Sequence, residues 1–228
     1  EASNTPVMLE LRIRACHVYG SFEAKDNVAA KFSAKHRIPT PATFEYDRLS
    51  HPPATFAQEK HKTEQRLPQA RKFIVENKLN EILGPESGDV GIIVQGGLFN
   101  VLNGRLALAG LSDSFGNVKV PTLVLNVTYP LVPEQIATFC AGKKSILIVE
   151  EGNPEFIEQA VGQILRKADL NTNIFGKDVL PLAGEYTPTV IARGLTQFFA
   201  AHTMKAPALD EWLAQTEMHQ KEVASALG

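Results

Sequence analysis

Two short elements carry residue types and spacings that could do chemistry. In Val94-Gln95-Gly96-Gly97-Leu98-Phe99-Asn100 an apolar run ends in two glycines and a helical pattern begins. N–H groups at such a helix start can receive an anion, and glycines let it approach closely. In Glu150-Glu151-Gly152 another apolar run ends in paired carboxylates, just ahead of Asn153-Pro154. Carboxylates at that kind of strand end can serve acid–base chemistry, or they can cap a helix and satisfy loop N–H groups. Neither element is completed into a catalytic motif. The glycine pair lacks the Gly-x-Gly-x-x-Gly spacing, and no loop ends in Gly-Lys-Ser or Gly-Lys-Thr. A tight strand-to-helix turn is therefore favoured over a phosphate cradle, and the structural roles of the carboxylates over catalysis. Tyr129-Pro130 follows a third apolar run and reads as a packing ridge, with a cis peptide open to it.

Other chemistries find less support. The six histidines, at 17, 36, 51, 61, 202 and 219, show no His-Glu-x-x-His spacing. Cys16 and Cys140 are far apart and form no Cys-x-x-Cys element, so an iron–sulfur cluster within this chain would lack its usual four thiolates. No Gly-x-Ser-x-Gly elbow positions a serine nucleophile. Gly88-Asp89 has the look of a thiamine diphosphate motif for only two residues, because Val90 stands where that motif continues with glycine. The run from Gln58 to Arg66 interleaves both signs of charge and reads as a solvated helix face. With a net charge of −2 over 228 residues, the chain offers no single-sign field to recruit nucleic acid or an anionic membrane. Its 44% hydrophobic residues contain no run near the roughly 20 that a membrane helix needs. A soluble, cytoplasmic globular protein is the expectation, and the start at Glu1 suggests a piece of something longer.

The elements that must hold these residues follow from apolar periodicity. Residues 90–94, 122–127 and 145–149 are apolar along both faces and alternate with helical patterns over 97–111, 133–141 and 154–168. That alternation predicts an α/β fold with helices on both faces of a mainly parallel sheet. Right-handed crossovers then bring Gln95, Gly96, Gly97, Tyr129, Pro130, Glu150, Glu151 and Gly152 to one edge, as a contact surface. Residues 173–175 suggest a further short strand, and 187–202 and 209–226 two more helices. Upstream, Leu9, Leu11 and Ile13 alternate with charged residues and predict a half-buried strand over 6–16, displaced from the main sheet. Residues 23–53 read as a linker with at most a short helix over 26–35. Two helices are expected within 54–83, one polar and one beginning near Pro68 with Phe73, Ile74, Leu79, Ile82 and Leu83 on its apolar side.

Longer segments carry a family resemblance. Val90-Gly91-Ile92-Ile93-Val94-Gln95-Gly96-Gly97, then Leu125-Asn126-Val127-Thr128-Tyr129-Pro130-Leu131-Val132-Pro133, then the stretch from Ile148 through Glu150-Glu151-Gly152-Asn153-Pro154 to Gln159, occur in that order. With Gly184-Glu185-Tyr186 downstream and Pro6 to Val18 and His51 to Phe56 upstream, the chain resembles the bacterial fused indolepyruvate ferredoxin oxidoreductases, within the 2-oxoacid:ferredoxin oxidoreductases. The resemblance implies a domain similar to the C-terminal domain of transketolase, set between two thiamine-diphosphate-binding domains. It implies residues 1–22 as the tail of a pyrimidine-binding domain, 23–53 as linker, 54–204 as the transketolase-like domain and 205–228 as a C-terminal helix or linker. Thiamine diphosphate, magnesium and iron–sulfur clusters are implied for the intact homo-oligomeric enzyme, with ferredoxin as its partner. No catalytic, cofactor or metal residue is expected on this chain itself. A stand-alone nucleotide-binding domain and a non-catalytic interaction domain are the alternatives.

Overall fold

The computed structural model describes residues 2–11, 21, 23, 24, 26 and 49–227. Five strands form one sheet in the order β1-β3-β2-β4-β5. They are β1 (Glu81–Leu83), β2 (Val90–Gln95), β3 (Thr122–Leu125), β4 (Ser145–Val149) and β5 (Asn173–Phe175). β2 pairs in parallel with β3 and β4, and β4 in parallel with β5. Only β1 runs antiparallel, along the outer side of β3. The three apolar runs thus form the parallel centre expected of them, for a physical reason visible residue by residue. Ile92, Val94, Val124, Leu147 and Val149 point to one face, and Ile93, Leu123, Leu125, Ile146 and Ile148 to the other. Both sets are almost wholly buried, at about 1.5–3 kcal/mol for each large side chain removed from water.

Helices cover each face. The first carries α3 (Phe99–Leu108), α6 (Pro188–Ala201) and α7 (Pro207–Leu227), which bring Leu102, Leu106, Leu195, Phe198 and Leu209 into the core on that side, with α7 packed on α6 and α3. The second carries α4 (Pro133–Cys140) and α5 (Phe156–Lys167), with Ile136, Phe139, Val161 and Leu165. α6 starts cleanly because the Thr187 hydroxyl accepts from the Val190 N–H ahead of Pro188. This is the α/β/α layering that the alternating pattern predicts.

Three expectations are corrected. The two helices of 54–83 are one continuous helical rod, α1 (Thr55–His61) and α2 (Leu67–Glu76) joined by a wide turn over Lys62–Arg66. Pro68 has no N–H and its ring crowds the carbonyl four residues back, and a wide turn there lets the helix pass it. The rod also ends earlier than its apolar pattern suggests. Lys78 turns into the left-handed region (φ 50), and Ile82 and Leu83 belong to edge strand β1 rather than to the helix. Residues 6–11 form no strand, and Val7, Met8, Leu9 and Leu11 are exposed. Alternation makes a strand only where a ladder partner exists, and these residues have none among the described strands. The rest of that expected strand, 12–16, and nearly all of the short helix suggested at 26–35 lie outside the described residues.

Candidate functional site

Because β2, β3 and β4 are parallel, their last residues share one edge of the sheet, with Gln95 opposite Leu125 and Val94 opposite Val149. The end of β2 and the loops that leave this edge carry all eight residues singled out as interface candidates. Gln95 closes β2, and its Oε1 accepts from the Glu151 N–H at 2.9 Å, which joins two of the three loops directly. Gly96 opens the tight turn into α3, and a Cβ there would run into the Asn126 side-chain oxygen. Asn126 is itself fixed, donating to the Leu79 carbonyl at 3.0 Å and to Glu81 Oε1 at 3.1 Å. The glycine's close approach is therefore used against the β3 loop. Gly97 is exposed beside it.

Tyr129 stands 72% exposed, while Pro130, joined to it by a cis peptide, is buried. Tyr129 shares the edge with the Gln95–Glu151 pair through strand direction, and no described hydrogen bond links them.

The carboxylates take structural roles. Glu150 is buried, and its two oxygens accept from the Ile157 N–H at 2.9 and 3.1 Å and from the Glu158 N–H at 3.0 Å. A carboxylate on the first N–H groups of α5 is favoured by their unpaired protons and by the helix dipole. Glu151 Oε2 accepts from the Tyr186 N–H at 2.7 Å. Gly152 has φ +124 with open space around it, so backbone conformation and not crowding calls for glycine.

Three further residues, Lys177, Tyr186 and Glu158, take part in this edge without any motif in the sequence assigning them to it. Lys177 Nζ donates to the Glu150 carbonyl at 2.6 Å, to the Gly152 carbonyl at 3.1 Å and to the Tyr186 hydroxyl at 2.8 Å. That hydroxyl donates onward to the Pro181 carbonyl at 2.8 Å. Glu158 Oε2 accepts from the Lys177 N–H at 2.9 Å, and its carboxylate fills the space over Gly176. Burial lowers the Lys177 pKa against the pull of Glu150, Glu158, Glu155 and Glu151, and raises the Glu158 and Tyr186 pKa values. In the sequence Tyr186 stands out only as part of Gly184-Glu185-Tyr186; the pairing of a lysine with main-chain oxygens leaves no spacing to read.

A metal or diphosphate group is not suited to these donors. Glu150 and Glu151 already accept main-chain protons, and Asp89 pairs with Lys144 at 2.6 Å near the opposite edge, ahead of β2. Among the described residues no group of three His, Cys, Asp or Glu side chains could hold a metal ion. No helix is long and apolar enough to cross a membrane among those residues either.

No family model matches the chain. Curated relatives do. It is 28% identical over 205 residues to the indolepyruvate oxidoreductase subunit IorA of Methanothermobacter marburgensis, covering 86% of this chain and 30% of the relative. It is 26% identical over 205 residues to the same subunit of Methanothermobacter thermautotrophicus, with 88% and 31% covered. Against that of Pyrococcus abyssi it is 31% identical over 149 residues, with 65% and 22% covered. A solved 2-oxoglutarate:ferredoxin oxidoreductase from Magnetococcus marinus aligns with a TM-score of 0.40 and 20% identity, over 64% of this chain and 23% of that one. The chain spans less than a third of the length of these IorA relatives. Their similarity bears out the resemblance carried by the strand-end motifs: the chain is related in sequence to a segment of the indolepyruvate oxidoreductase subunit IorA.

Proposed function

We propose that the chain is an internal domain of a thiamine-diphosphate-dependent indolepyruvate, or aryl 2-oxoacid, ferredoxin oxidoreductase, and that it holds the enzyme's other domains in register. In this reading residues 1–22 end a pyrimidine-binding domain, 23–53 connect it, 54–204 form the transketolase-like domain and 205–228 lead onward. Oxidative decarboxylation to an acyl-coenzyme A, with electrons passing through iron–sulfur clusters to ferredoxin, is then chemistry of the remainder of a homo-oligomeric cytoplasmic enzyme. Similarity to IorA subunits over most of this chain and less than a third of theirs supports the assignment.

The observation that carries the docking role is how the strand-end polar groups are used. The Glu150 and Glu151 carboxylates hold loop and helix N–H groups, and Lys177 holds loop carbonyls. The large side chains the edge presents outward include Tyr129 and, at the start of α5, Phe156, 72% and 68% exposed. A surface whose Glu150, Glu151 and Lys177 side chains are engaged internally and whose aromatic groups are exposed suits a partner surface better than a reaction.

Substituting Tyr129→Ala in the full-length enzyme tests this. Assembly or thiamine diphosphate retention is expected to weaken while the 228-residue chain carrying the same change stays folded. Normal assembly with unchanged cofactor affinity would overturn the docking role.

A further inference from the structure

We infer that Lys177 is the positioning residue of this edge, a three-way clamp that sets the shape of the loop after β4 and so prepares the docking surface; the inference rests on the docking reading given above. An ammonium group has three protons, and here each has its own acceptor: the carbonyls of Glu150 and Gly152 and the hydroxyl of Tyr186. A lysine so engaged has no proton left over for an anionic ligand. Its acceptors belong to two loops remote in sequence, the one after β4 and the one between β5 and α6. The ammonium also lies 4.9 Å from the centre of the Tyr186 ring.

The rest of the network tightens the same joint. The Lys177 main-chain N–H is fixed by Glu158, the Tyr186 N–H by Glu151, and the Glu151 N–H by Gln95 at the end of β2. The Lys177 side chain thus closes a ring of bonds between the β4 loop and the β5–α6 loop, and Gln95 ties that ring to the end of β2. Gly152, with φ +124, is itself one of the two carbonyl anchors of Lys177 and leads to the exposed start of α5, where a change in backbone direction would move Phe156.

Amide hydrogen exchange on the 228-residue chain tests the clamp. In Lys177→Met, exchange at Glu151 and Tyr186, whose N–H groups are bonded to Gln95 and Glu151, is expected to rise about tenfold, as befits loss of hydrogen bonds from a charged donor, while the amides of Ile92, Ile93 and Leu147 stay protected. Lys177→Arg keeps the charge, but a planar fork does not direct three diverging protons, and a smaller rise at the same amides is expected. An unchanged rate at those loop amides, or an equal rise across β2 and β4, overturns the inference. If Lys177→Met does not fold, unchanged loop exchange in Lys177→Arg overturns it alone. In the full-length enzyme, Lys177→Met is expected to weaken assembly; faster loop exchange with normal assembly refutes the link to docking. Normal assembly of Tyr129→Ala strikes instead at the docking reading itself, so the two failures are distinct.

Discussion

The main-chain N–H of Glu151 donates to Oε1 of Gln95 at 2.9 Å, so the last residue of one central strand holds the loop that leaves the next. Neighbouring parallel strands need no such bond to stay paired, since their ladder ends at Val94 and Val149. The contact serves the loop rather than the sheet.

It follows that Gln95→Ala loosens the edge without opening the core. The lost neutral hydrogen bond costs about 0.5–1.5 kcal/mol, and the Glu151 N–H must find water instead. Denaturant unfolding should show that small loss, with faster amide exchange at Glu151 and unchanged exchange at Ile93. A loss beyond about 3 kcal/mol would place Gln95 in the core packing instead, in the range of large-to-small core substitutions.

Glu150→Ala should be the costlier change. It removes a buried carboxylate from the Ile157 and Glu158 N–H groups and leaves the first turn of α5 uncapped. Charge-assisted bonds of this kind are worth about 1.5–3 kcal/mol, and Glu150→Gln, which keeps one acceptor, should recover part of the loss. Equal stability of Glu150→Ala and the parent chain in urea would show that the cap is unimportant.

These residues also mark how far the sequence could be read. β2, β3 and β4 were legible because strands covered on both faces are apolar at every position, and few other elements are. The structural role of Glu150 was legible as one of two options, since a helix start lies a few residues downstream. β1 was hidden because three residues cannot display a period, and Ile82 and Leu83 fit the helical stripe begun by Ile74 and Leu79. The strand pattern at Leu9 and Leu11 was legible, but the partner it needs is not in the described sheet. Lys177 was hidden for another reason: its partners are chiefly main-chain oxygens 25–27 residues away, and every residue type has a main-chain oxygen.

Gly96→Ala should disturb the turn between β2 and α3. The added methyl would meet the side-chain oxygen of Asn126, whose amide is held by Leu79 and Glu81 and so does not swing away freely. Overpacking of this sort costs about 1–3 kcal/mol. The paired variant Gly96→Ala with Asn126→Ala should lose less than the sum of the two single changes; strict additivity would show that they do not touch.

The pH dependence of stability should reveal Glu158. Burial raises its carboxyl pKa first of all, and the charges of Asp178, Glu155 and Glu150 raise it further, while the hydrogen bond from the Lys177 N–H acts the other way. The native chain therefore holds this proton more tightly than the unfolded chain does. Its contribution to stability is fully present below the ordinary carboxyl pKa and is lost as pH rises through the raised native value. Glu158→Gln keeps an oxygen for the Lys177 N–H and carries no charge at any pH. Relative to this variant, the parent chain should lose stability as pH climbs from the ordinary carboxyl range through the raised value, and the gap should close again on acidification. Unfolding midpoints of both chains across a pH series give that difference directly. A gap that does not vary with pH, or one that widens toward acid, would mean that Glu158 is no more reluctant to ionise in the folded chain than in the unfolded one.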